Sequence, residues 1–98
     1  MSISSDMNSP KIVLIGAGNL STNLGYALKD KGFNIVQVYS KTSKSASALA
    51  ETLNCAYTNS IDSVVFDANI YILALKDSVL EEIADELLNG REEALFIH

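Results

Sequence analysis

Between Lys11 and Gly25 the chain reads KIVLIGAGNLSTNLG: an apolar run, a glycine-bearing turn and the opening of an amphipathic helix. Few folds accept that succession. Gly16, Gly18 and Ser21 occupy the three positions of a G-x-G-x-x-small spacing. The first glycine permits a tight exit from a strand, and the second leaves the backbone open to an approaching pyrophosphate. The small third residue lets the helix lie close on the strand. The phosphates then meet the helix N-terminus, where unpaired N–H groups and the positive dipole end favour an anion. Glycines collect in any turn, so the spacing alone is weak evidence. With Ile12-Val13-Leu14-Ile15 before it and a helical pattern after it, it is a dinucleotide-binding signal. Asn19 and Leu20 follow Gly18, and their N–H groups are the expected pyrophosphate donors. The Asn19 side chain has an equally good reading as a residue that only orders the turn.

Strand and helix signals alternate beyond the turn. Leu20, Leu24, Ala27 and Leu28 recur at helical spacing, with Gly32 as the stop. Ile35–Tyr39 reads as a second strand, Ala46, Leu49, Ala50 and Leu53 as one face of a second helix, and 56–58 as a short third strand. A turn of helix is expected near 60–65, then an apolar strand from Ile70 to Leu75. Ser78-Val-Leu-Glu81 has the capping-box pattern, with Ser78 as N-cap. Val79, Leu80, Ile83, Ala84, Leu87 and Leu88 form the next buried stripe, Asn89-Gly90 ends it, and a last strand begins at Ala94. This alternation predicts an α/β doubly wound, Rossmann-like parallel sheet of about five strands in the order 3-2-1-4-5. Helices cover both faces, and the ligand crevice falls between strands one and four.

The bulk numbers exclude more than they assign. Ninety-eight residues, 48% of them hydrophobic and 19% charged, make one folded domain, here 11–98 behind a polar, serine-rich tail at 1–10. A net charge of −5 argues against nucleic acid or an anionic membrane as partner. The acidity falls on Glu81-Glu82, Asp85-Glu86 and Glu92-Glu93, a pattern of solvated surface. The single cysteine, Cys55, cannot close an internal disulfide, which suits the cytoplasm, and its reading is packing. No run approaches the roughly 18 apolar residues of a membrane span, and residues 1–10 lack the apolar centre of a signal peptide. No spacing fits a metal site. The chain stops at His98 on an apolar strand, which reads as the cofactor half of a longer protein.

The end of the second strand decides between dinucleotides. NAD binders usually place a carboxylate about 20 residues past the glycine turn to hold the ribose hydroxyls. Here the segment is Tyr39-Ser40-Lys41-Thr42-Ser43-Lys44, with no acid. Hydroxyls of Ser40 and Thr42 with Lys41 and Lys44 suit a 2′-phosphate, so NADP is the expected cofactor. The competing reading is a solvated lysine-bearing loop with Thr42 or Ser43 as a helix cap. Ala74 and Leu75 close the fourth strand beside the crevice, where backbone groups contact ribose or nicotinamide. Lys76 is given no catalytic role. His98 is the only histidine, at the end of the last strand. It is a candidate for proton transfer at the nicotinamide, weighed against the more usual structural role of a lone terminal histidine. Catalytic residues are otherwise unassigned.

The runs IGAGNLSTNLGYAL, VYSKT and ILALKD resemble the N-terminal domain of the pyrroline-5-carboxylate-reductase-like group, which takes in F420-dependent NADP-oxidoreductase-like enzymes. The likeness covers Lys11 to His98. It implies that Ser40-Lys41-Thr42 handles the 2′-phosphate, and that a helical C-terminal domain, absent here, holds the small-molecule substrate and makes a homodimer. The expected whole is a two-domain oxidoreductase passing hydride between nicotinamide and a small carbonyl or imine, with the isolated chain inactive. The alternatives are a non-catalytic NAD(P)-sensing regulatory module, which usually carries the acid missing here, and an interaction scaffold of degenerate fold.

Overall fold

The apolar run at the start of the sequence becomes the centre of the sheet. Strand β1 (Lys11–Ile15) has neighbours on both sides, and Ile12, Val13, Leu14 and Ile15 are each at most 1% exposed. A parallel strand covered on both faces reads as continuous hydrophobicity for this reason. Beside it lie β2 (Asn34–Tyr39) and β4 (Ile70–Leu73), with β3 (Ala56–Thr58) and β5 (Leu95–Ile97) at the edges. All pairings are parallel, in the order β3-β2-β1-β4-β5. The computed structural model describes residues 10–91 and 94–97. The rest of the expected tail, residues 1–9, and the candidate His98 lie outside the described residues.

Three helices connect the strands: α1 (Asn19–Asp30), α2 (Ser43–Leu53) and α3 (Asp77–Leu88), with a 3-10 turn at Ile61–Ser63. On one face Leu49, Ala50 and Leu53 of α2 pack on Ile12, Leu14, Ile35, Val38 and Ile72, with Leu24 and Leu28 of α1 against the same cluster. On the other, Ile83 and Leu87 of α3 join Val13, Ile15, Tyr39, Val64, Ala68 and Tyr71. Each large aliphatic chain so buried contributes about 1.5–3 kcal/mol relative to exposure.

The expected helix faces need two corrections. In α1, Leu20 is 68% exposed and Ala27 is also exposed. The inward stripe is Ser21, Leu24, Gly25 and Leu28, because the helix approaches through its smallest residues. A Cβ on Gly25 would lie 2.8 Å from Leu53 Cδ1 and 3.2 Å from Leu14 Cδ1. In α3, Ser78 is not the N-cap: Leu80 N–H already donates to the Lys76 carbonyl at 3.0 Å, so Lys76 holds that place and no side chain caps the helix. Leu88 is exposed at the far end, while Val79, Leu80 and Ala84 are half-buried. The expected stop at Gly32 is present as a Schellman motif. Gly32 sits at φ +87° and donates to Lys29, and Phe33 donates to Leu28.

Two large polar side chains are buried for structural reasons. The β1–β2 register slips between Ile12 and Val13, which turns Gln37 toward the α3 face. There its Nε2 donates to Ser63 O at 3.1 Å and its Oε1 accepts from Val65 N at 2.9 Å. Arg91, 3% exposed, donates to the carbonyls of Val64, Val65, Glu86, Leu87 and Asn89.

Candidate dinucleotide-binding site

The C-terminal ends of β1, β2 and β4 are joined at Gly16. Its N–H donates to Tyr39 O at 2.7 Å, and Ala74 N–H donates to Ile15 O at 2.9 Å. Gly16 has φ +118°, and a Cβ there would lie 2.4 Å from the Ala74 carbonyl oxygen and 3.2 Å from Leu75 Cδ2. Gly16 is therefore demanded by the protein itself. Ser21 is fully buried and its Oγ donates to Gly16 O at 2.7 Å. The third fingerprint position is thus more than small: its hydroxyl ties the helix to the turn.

Gly18 is different. Its φ of −82° is open to any residue, and no atom lies within 4 Å of where its Cβ would stand. Nothing in the protein requires a glycine there. Gly18 is the N-cap of α1, with no side-chain cap bond, and its carbonyl accepts from Thr22 N and Thr22 Oγ1 at 2.9 and 3.0 Å. The N–H groups of Asn19 and Leu20 consequently have no intrahelical acceptor. Asn19 is exposed, and among the described residues its side chain has no bond that orders the turn. An open cradle over uncapped donors is the geometry a pyrophosphate fits.

A second polar locus follows β2. Ser40 N–H donates to Thr58 O at 3.2 Å, while Ser40 Oγ accepts from Thr42 N at 3.3 Å. The Ser40 hydroxyl proton is left to donate outward. Thr42 is the N-cap of α2 without a side-chain bond, and the first turn of that helix contains no acid. Lys44 sits in that turn, exposed. A cation at a helix N-terminus is disfavoured by the dipole, so helix stability gives no reason for it.

Lys41 carries an electrostatic complication that its sequence neighbourhood does not reveal. Its Nζ lies 3.3 Å from Glu82 Oε2 on α3, both side chains about 60% exposed. Beneath the pair, burial raises the Tyr39 phenol above its ordinary range; Lys41 opposes that shift, and Glu86 and Glu82 add to it. The site brings together Gly16, Ala74 and Leu75 in one contact and Ser40, Lys41 and Thr42 in one loop. Glu82 and Gly25 were missed. A glycine inside a helix is a detectable sign of close packing, whereas no local signal links residues 41 apart.

A cavity of about 590 Å³ lined by Phe66, Asp67, Ala68, Asn69, Gly90, Arg91 and Ala94 lies elsewhere, about residues flanking β4 and β5 at their starts. It shares no residue with this site. Among the described residues no group of His, Cys, Asp and Glu is placed to hold a metal.

The fold and the glycine turn define a Rossmann-like dinucleotide-binding domain. The family model for coenzyme F420-dependent NADP oxidoreductases matches residues 11–97. The chain belongs to that family and is its NADP-binding domain. A provisionally named NADP oxidoreductase of Bacteroides fragilis is similar at 49% identity and TM-score 0.88, over 94% of this chain and 36% of that one. A pyrroline-5-carboxylate reductase of Coxiella burnetii is 23% identical with TM-score 0.73, over 84% and 31%. The prephenate dehydrogenase of A. aeolicus is 22% identical with TM-score 0.79, over 89% and 32%; these last two likenesses are of fold. The chain spans about a third of the length of these solved structures. A comparison with curated protein sequences gave no match.

Proposed function

We propose that the chain holds NADP across the crevice between β1 and β4, as the cofactor half of a two-domain oxidoreductase acting on a small carbonyl or imine. The observation that carries this reading is Gly18, a glycine for which the protein has no use of its own, set over uncapped helix donors. The N–H groups of Asn19 and Leu20 take the pyrophosphate. Ser40, Lys41, Thr42 and Lys44 take the 2′-phosphate, with the uncapped start of α2 adding to the positive locus. Ala74 and Leu75 line the ribose and nicotinamide side, and Gly16 and Ser21 hold the turn in shape. NADP, when bound, supplies or accepts a hydride at its nicotinamide. The chain's part is to bind and orient it. A substrate-holding, dimer-forming C-terminal domain is part of the proposal, supported by the greater length of the relatives. So is a cytoplasmic setting, which fits a chain whose described residues include no helix long and apolar enough to cross a membrane.

Calorimetric titration with NADPH and NADH tests the reading. A hydrogen bond to a charged group is worth about 1.5–3 kcal/mol where shielded, and less at an exposed lysine, so NADPH should bind about tenfold tighter. Added salt should weaken NADPH more than NADH, because only the former makes the extra ionic contacts. Ser40→Asp should reverse the order, since a carboxylate repels the phosphate and accepts from the ribose hydroxyls. Equal affinities, indifferent to salt and to Lys41→Ala, would overturn the assignment.

A further inference from the structure

The Lys41–Glu82 pair joins the loop after β2 to the helix after β4, two elements on opposite sides of β1. Lys41 is one of the two lysines assigned above to the 2′-phosphate, and Glu82 stands where it is the lysine's counter-ion instead. The two side chains are 62% and 61% exposed, so the pair contributes little to stability. Among the described residues Lys44 has no such partner. Glu86, one turn along α3 from Glu82, also acts on Tyr39, so this helix turns an acidic edge toward the end of β2.

We infer that Glu82 is a specificity-tempering residue: it occupies Lys41 in the absence of a 2′-phosphate and selectively lowers affinity for the phosphorylated dinucleotide. The inference rests on the assignment of the 2′-phosphate to the Ser40–Lys44 loop. Two effects act in the same direction. A 2′-phosphate, doubly or nearly doubly charged at neutral pH, has to displace the Glu82 carboxylate from Lys41 Nζ. Once it is there, the displaced carboxylate remains a like charge within reach of it, and that repulsion is of the order of a surface ion pair. A dinucleotide without the 2′-phosphate meets neither effect. Glu82 thus narrows the gap between NADPH and NADH without touching the pyrophosphate cradle.

The test is a titration of the whole chain with NADPH, NADH and 2′-phospho-ADP-ribose, comparing wild type with Glu82→Gln and with Glu82→Gln in a Lys41→Ala background. Glu82→Gln, at an exposed position, keeps the length and polarity of the side chain while replacing the carboxylate by a neutral amide, and circular dichroism verifies the fold. NADPH and 2′-phospho-ADP-ribose should bind about three- to tenfold tighter to Glu82→Gln, while NADH changes less than about twofold. The gain should be smaller in the Lys41→Ala background, where only the direct repulsion is left to relieve, and should shrink as salt rises. Were the pair only a structural tie, loss of Glu82 would loosen the loop and leave NADPH unchanged or weaker, which overturns the inference. Equal tightening of NADPH and NADH overturns it as well. If wild type binds none of the three probes, the dinucleotide assignment itself fails along with it; if it binds them and Glu82→Gln shifts nothing, only the role of Glu82 fails.

Discussion

The two ends of the sheet treat polar groups in opposite ways. Where β1, β2 and β4 finish, α1 and α2 both begin without a side-chain cap, and Gly18 borders open space. Where β4 and β5 start, donors are matched to acceptors inside the protein. Asn69 exchanges bonds with the backbone of Lys11, and its carbonyl accepts from Leu95 N. The buried guanidinium of Arg91 lies 4.1 Å from the centre of the Phe66 ring and is surrounded by carbonyls, several of them at the C-terminal end of α3. That helix end is the negative pole of its dipole, so the charge is met there without a carboxylate among its described partners. A stable end leaves no polar group unmatched, and a binding end leaves donors for the ligand.

Breaking the matched end should have the largest effect. Arg91→Met keeps an apolar chain of similar reach but strands the buried carbonyls of Val64 and Leu87, while the Val65 carbonyl keeps the Tyr71 hydroxyl as donor. Each buried group without a partner costs about 1–3 kcal/mol, so a total near 3–5 kcal/mol is expected. A domain of this size would melt more than about 10 °C lower, followed by circular dichroism. The affinity of molecules still folded should be untouched. A shift of only a degree or two would mean that the carbonyls find water easily and that the two ends are less different than their bonds indicate.

The opposite perturbation is Gly18→Val, which should abolish dinucleotide binding, by about a hundredfold or more, with little change in stability. Its backbone angles suit valine, and the side chain would enter empty space. The expected stability loss is within about 1 kcal/mol, for the poorer N-cap. Calorimetry beside a thermal melt separates the two readouts. Unchanged affinity in a folded variant would reduce the fingerprint to an ordinary turn.

The same contrast explains what the sequence could and could not tell. The central strands β1 and β4 follow from apolar runs, which a sheet covered on both faces accommodates, although β4 ends at Leu73, two residues before the expected Leu75. The sheet order follows from the alternation of strand and helix. The α2 stripe of Ala46, Leu49, Ala50 and Leu53 is buried as its spacing predicts. In α1 hydrophobicity placed Leu24 and Leu28 correctly against the core but not Leu20 and Ala27. Leu20 scores as core but faces out, because the closeness set by Ser21 and Gly25 leaves no room for a large residue between helix and strand. Ser78 fits the capping pattern, yet the chain enters α3 two residues earlier, at a point fixed by where β4 delivers it. Gln37 carries no local mark of burial, since both its partners lie 26 and 28 residues away, and neither does Arg91, since the Val64 and Val65 carbonyls it bonds lie 27 and 26 residues away. The fingerprint was legible because its chemistry is local, and the Lys41–Glu82 pair was not because it is made by the fold.

The smallest expected effect concerns surface charge at the matched end. Lys11 Nζ lies 3.0 Å from Asp67 Oδ2, both exposed. The hydrogen bond from Lys11, and then its charge, hold the Asp67 carboxyl below its ordinary value. A carboxyl lowered in the folded state adds stability that is fully present above its unfolded pKa and is lost as pH falls through the folded one. Asp67→Asn should therefore melt slightly below wild type at neutral pH, with the difference vanishing in acid, below the ordinary carboxylate range, and also shrinking in high salt. Dinucleotide affinity should not move. A difference that persisted in acid would show Asp67 acting through something other than its charge. A difference as large as that of Arg91→Met would place the strength of this end in its surface ion pair rather than in its buried donors.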